Sequence, residues 1–81
     1  MTETMELMKK EFKRLGVSLD VRPVDGKPNL CRIEGSIGDA AGEYDAHRAL
    51  NALIQLQSPD IGDSGYQMVQ AVLRQIGFAS Q

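Results

Sequence analysis

Cys31 and His47 are the only cysteine and the only histidine in the 81-residue sequence. Together they are the minimum of a nucleophile–base pair, which needs hydrogen-bond reach and a third group to orient the base. Cys31 falls in phase with Ile33 and Ile37 along an alternating stretch. That phase predicts a buried, inert thiol, not a reactive one. His47 is expected on the surface or at the boundary of a helix, beside Arg48. One Cys and one His make no zinc site without two carboxylates or a second chain. The segment Asp60-Ile61-Gly62-Asp63-Ser64-Gly65 has a trace of calcium-loop spacing, but it lacks a third acidic ligand and a closing bidentate Glu. The carboxylate pairs Glu43/Asp45 and Asp60/Asp63 would do hydrolytic work only with one partner in an apolar pocket and the other in a polar one. Gly35, Gly38 and Gly42 are not followed by Lys-Ser/Thr, so they make no phosphate loop. These residues therefore predict no catalytic residues, no cofactor and no metal.

Two clusters remain that suit binding. Asp39, Glu43, Tyr44, Asp45, His47 and Arg48 gather acids, an aromatic and a guanidinium in ten residues. Tyr and Arg are frequent interface anchors, and acids speed encounter with a basic partner. The competing assignment packs Tyr44 on a hairpin and spends the acids as helix caps. The second cluster is Lys9, Lys10, Lys13 and Arg14. It either complements the negative end of a helix dipole on a solvated face or contacts phosphates or an acidic partner. No aromatic residue interleaves with it, which argues against stacking on single strands.

The elements that must position these groups begin with the hairpin Val17–Ile37. Val17, Leu19 and Val21 alternate with polar residues, as do Cys31, Ile33, Gly35 and Ile37, giving two half-buried strands. Asp25-Gly26-Lys27-Pro28-Asn29 supplies the turn. Pro23 marks the first strand as an edge, or else faces away from its partner, and the second strand is the better candidate for the central position. Upstream, residues 2–15 read as an amphipathic helix with Met5, Met8, Phe12 and Leu15 on one face. Thr2 or Thr4 caps it, Glu6 and Lys10 form an i,i+4 pair, and Gly16 stops it so that Val17 folds back on Phe12.

Downstream, Asp39 would cap a helix beginning at Ala40, the reading we prefer. Otherwise Gly38 to Gly42 turns into a short third strand near Glu43-Tyr44, with Asp45 as the cap. Residues 46–57 are helical in both cases, with Ala46, Ala49, Leu50, Leu53 and Leu56 inward and Ile54 at the margin. Residues 58–63 are a break. A last helix capped by Asp63 or Ser64 carries Tyr66, Val69, Leu73 and Ile76 on one face. Gly77 ends it, and Phe78 reaches back toward Leu73.

The fold class is therefore α+β, one small domain over residues 1–81 in the order α-β-β-(β)-α-α, an antiparallel hairpin packed against helices. The order over roughly residues 5–57, with the alanine-containing helix Asp45–Leu53, is loosely similar to the double-stranded-RNA-binding domain. That family presents lysines at the start of its last helix. The matching stretch here holds Asp39, Glu43 and Asp45, so the RNA-binding function does not carry over.

Composition sets the rest. An apolar fraction of 42% and a charged fraction of 25% are those of an ordinary globular domain. A chain this short buries only about 60% of its unfolded surface. A lone cysteine allows no intrachain disulfide and favours a reducing, cytoplasmic setting. The N-terminus lacks the features of a signal peptide, and no apolar run spans a membrane. Net charge is −2 but uneven: residues 1–32 hold seven cations against five acids, and residues 33–81 hold two against six.

The expected function is a small non-enzymatic binding protein, an adaptor, regulator or inhibitor that docks on another protein; such chains are common in phage and mobile-element gene sets. The alternatives are a nucleic-acid-associated regulator using the basic first helix and an acidic nucleic-acid mimic. An edge strand, a thin core and more amphipathic helix than one hairpin can cover also predict a homodimer, using the edge strand or the last helix.

Overall fold

The computed structural model describes residues 2–79. Helix α1 (Thr2–Arg14) leads into β1 (Leu19–Val24) and β2 (Lys27–Gly35). A 3-10 turn (Gly38–Ala40) is followed by β3 (Gly42–Asp45), α2 (Ala46–Ile54) and α3 (Gly65–Ile76). The strands form one antiparallel sheet in the order β1-β2-β3. β2 is central and the proline-bearing β1 is an edge, as Pro23 requires.

The apolar stripe of α1 is fully used: Met5, Met8, Phe12 and Leu15 are all buried. α1 already includes Thr2 and Thr4, so Thr4 lies inside the helix and is not its cap. Gly16 ends the helix with φ +76°, a conformation open to glycine. The Val17 N–H then bonds back to the Phe12 carbonyl at 2.9 Å. On the sheet, Val21, Cys31, Ile33 and Tyr44 point toward the helices. Ile37, just past β2, also joins the core.

Three expectations are corrected. The turn is the two residues Asp25-Gly26, and β2 begins at Lys27, ahead of Pro28. The ladder runs to Pro23 opposite Cys31 and then jumps to Val24 opposite Lys27. Pro28 has no N–H for the ladder, so the residues around it bulge out of register. The second correction is the preferred helix start at Ala40. Residues 38–40 make only a single 3-10 turn, and residues 42–45 form the third strand. Backbone pairing with β2, with Cys31 opposite Tyr44 and Ile33 opposite Gly42, satisfies this segment in a way a longer helix would not. The third concerns α2, which ends at Ile54 and not at 57. Ser58-Pro59 follows, and the residue before a proline disfavours helix. Leu56 still packs against the core as a half-buried residue.

The capping chemistry reads directly from side chains. Asp45 accepts the Arg48 N–H at 3.0 Å to start α2. Ser64 accepts the Gln67 N–H at 3.3 Å to start α3. Phe78 turns to Tyr44, with ring centroids 5.2 Å apart, and lies over Gly42.

Candidate functional site

Of the six residues expected at a partner surface, five make hydrogen bonds or ion pairs within the chain. Tyr44 is the clear correction. It is 1% exposed, its hydroxyl donates to the Ala40 carbonyl, and burial raises its pKa. Its place in β3 explains this: Gly42 and Tyr44 share the inward face, and Glu43 and Asp45 alternate to the other. Asp39 receives the Arg74 guanidinium through Nη2 at 2.6 Å and Nε at 3.1 Å, which ties the 3-10 turn to α3. Asp45 caps α2. Glu43 faces Arg32 at 3.6 Å across the sheet. His47 and Arg48 remain exposed on α2.

The basic cluster also divides. Lys9, Lys10 and Lys13 are exposed on α1, with Lys9 loosely paired to Glu6 at 3.9 Å, one residue short of the expected Glu6–Lys10 partner. Arg14 has a different role. It bonds Glu11 through Nε at 2.8 Å, the Leu53 carbonyl at 3.1 Å and the Ser58 hydroxyl at 3.2 Å. It therefore closes the C-terminus of α2 onto α1, where a cation suits the free carbonyls.

The nucleophile question has a geometric answer. Cys31 is wholly buried, its sulfur 4.0 Å from the Met8 sulfur. Burial, with a smaller contribution from Asp45, pushes its thiol up to about 11. His47 is on the outer side of α2 and does not approach it. Among the described residues, no three His, Cys, Asp or Glu gather as a metal site, and no helix is long and apolar enough to cross a membrane.

Two surfaces stand out. The sheet face away from the helices carries a charge ladder across all three strands. Arg22 bridges Asp20 at 3.0 Å and Glu34, and Arg32 bridges Glu34 at 3.3 Å and Glu43. The two arginines hold the Glu34 carboxyl below its usual range. The second surface is a groove of about 610 Å³ between α2 and α3. Its floor is Ala52, Leu56, Val72 and Ile76, and its rim is Asn51, Gln55, Gln75 and Arg48. Arg48 is its one charged lining residue, and Nη2 lies 3.5 Å from the Ile76 carbonyl at the C-terminus of α3. Of the six expected contact residues, Arg48 alone lines this groove. The sequence reading missed the rest of it. A signal was present in α3, where Met68 and Val72 widen the apolar stripe beyond Tyr66, Val69, Leu73 and Ile76.

Comparison with protein-family models, with curated proteins and with solved structures finds no match.

Proposed function

We propose that the chain is a small non-enzymatic protein-binding module, acting in a reducing, cytosolic setting as an adaptor, regulator or inhibitor of another protein. The observation that carries this reading is the groove between α2 and α3. Two packed helix flanks with a half-buried aliphatic floor form the receiving half of a helix-in-groove contact. Amide side chains on the rim accept either hydrogen-bonding sense, and the single cation sets orientation. The partner it suits is an amphipathic helix with an aliphatic face and a carboxylate placed opposite Arg48. Arg at the margin of an apolar patch is a frequent hot spot.

The alternatives draw less support. Asp39, Glu43 and Asp45 are matched by guanidinium or backbone N–H groups, which weakens the field an acidic mimic needs. Arg14 is drawn out of the basic cluster by its contacts to α2.

The test is capture from native lysate, with and without nuclease, using the wild type and a Val72→Glu/Arg48→Glu variant as baits. A protein retained by the wild type after nuclease and lost with the folded variant is the expected result. Equal recovery by both baits, or loss on nuclease treatment, refutes the reading.

A further inference from the structure

The two edges of the sheet are treated differently by the chain. At β3 the C-terminal tail folds over the edge: the Ala79 N–H donates to the Glu43 carbonyl at 3.0 Å, and Phe78 covers Gly42. β1 pairs with β2 on one side, and among the described residues no backbone hydrogen bond joins its other side to any segment. Such an edge either carries features that repel a second strand or accepts one.

β1 carries Pro23 and two charges, which discourage a strand at large, but the order of those charges favours one particular strand. On the outer sheet face β1 presents Asp20 and Arg22, both more than half exposed. On the helix-facing side it presents Leu19, Val21 and Pro23. A copy of β1 laid antiparallel about a two-fold axis normal to the sheet keeps both helix layers on one side. This requires outer residues to oppose outer residues, since a one-residue slip reverses the faces. Three symmetric registers satisfy that condition near the centre of the strand. Centring on Asp20 places acid against acid, and centring on Arg22 places base against base. Centring on Val21 places Asp20 opposite Arg22 of the second copy twice, and Leu19 opposite Pro23 twice. It also overlaps the strand along residues 19–23, all within β1. Opposite charges directly across a strand pair attract and like charges repel.

We infer that β1 is a homodimerisation edge, pairing with β1 of a second copy in the register centred on Val21 and joining two three-stranded sheets into one of six strands. The two charge ladders then meet end to end, with each Asp20–Arg22 pair shared between copies. Pro23 forgoes one N–H on each side of the axis, and the pairs nearer the centre contain no proline. The inference stands apart from the α2–α3 groove, which lies on other elements.

The experiment is a charge-exchange series read by sedimentation equilibrium. The wild type is expected at twice the 8.9 kDa chain mass at high micromolar concentration. Asp20→Arg and Arg22→Asp each place like charges opposite each other twice. Each should weaken the dimer by about tenfold or more. An equimolar mixture of the two variants restores opposite charges at both positions and should form a heterodimer, and the Asp20→Arg/Arg22→Asp double variant should form a homodimer. A monomeric wild type, single variants that associate like the wild type, or a mixture that stays monomeric while both variants keep their circular dichroism would each overturn the inference. Amide exchange on the wild type serves where a variant unfolds. Protection in β1 should rise with protein concentration while protection in β3 does not, and concentration-independent exchange in β1 would also overturn it.

Discussion

Gly65→Ala tests how α3 is seated. Gly65 opens α3 directly after the Ser64 cap. A Cβ at this position would overlap the Leu15 carbonyl oxygen and stand 3.1 Å from both the Leu15 carbonyl carbon and Val17 Cγ1. Two effects oppose each other. Alanine restricts the unfolded chain and suits a helix, which favours the variant by up to about 1 kcal/mol. Against this, restoring a C···O separation of about 3.3 Å requires the start of α3 to retreat by roughly 1 Å. The Leu15 carbonyl cannot easily yield instead, because the residue is fully buried and its N–H is bonded to the Glu11 carbonyl at 2.9 Å. Overpacking of this kind costs about 1–3 kcal/mol.

The retreat also stretches the bond from the Ser18 N–H to the Tyr66 hydroxyl, which spans 2.9 Å one residue further on. Its loss adds about 1 kcal/mol. The net expectation is destabilisation by about 2 kcal/mol, the steric term outweighing the entropic one. For a domain of this size that lowers Tm by about 8–16 °C. Gly16→Ala is the control. Its φ is +76° but nothing lies within 4 Å of a Cβ there, so it has backbone strain without a clash and should cost about 1 kcal/mol. Thermal melts and urea titrations of both variants measure the difference. A Gly65→Ala variant that melts at or above the wild type, or a larger loss in Gly16→Ala, would refute the seating of α3 on the end of α1.

Two further predictions follow from titrating groups. With a thiol at about 11, Cys31 is ionised to roughly one part in a thousand at pH 8. A thiol reagent should therefore label it only after denaturant, and rapid labelling of the native protein would contradict its burial. Because the folded thiol binds its proton more tightly than the unfolded one, its contribution to stability is present below the unfolded value and is lost as pH rises toward 11. Glu34 runs the other way: its carboxyl is lowered by Arg22 and Arg32, so its contribution is present above the unfolded carboxylate range and lost as pH falls through the folded value. Glu34→Gln should melt slightly below the wild type at neutral pH and level with it in acid. The gap is small because the group is exposed, and an equal gap at both pH values would contradict the ladder.

Neighbouring residues were enough to determine much of this protein. The spacing of Met5, Met8, Phe12 and Leu15, the alternation in β1 and β2, Gly16 as a stop, and Asp45 and Ser64 as caps all depend on contacts within a few positions. The α+β class and the edge position of β1 followed from them, because Pro23 limits a strand wherever it lies.

The tertiary structure decided what depended on distant partners. Residues 42–45 are too few to display a period, and only the pairing of Cys31 with Tyr44 makes them a strand. That pairing turned Tyr44 from an expected contact into a core residue, since a shift of one position would have put it on the open face. Arg14 looked like its basic neighbours until the chain brought the Leu53 carbonyl and Ser58 to it. The groove of α2 and α3 needed both helices side by side, because Arg48, Asn51 and Ala52 line it from one and Val72, Gln75 and Ile76 from the other. Local periodicity sets which face of an element is apolar, and long-range packing sets how much of that face is covered.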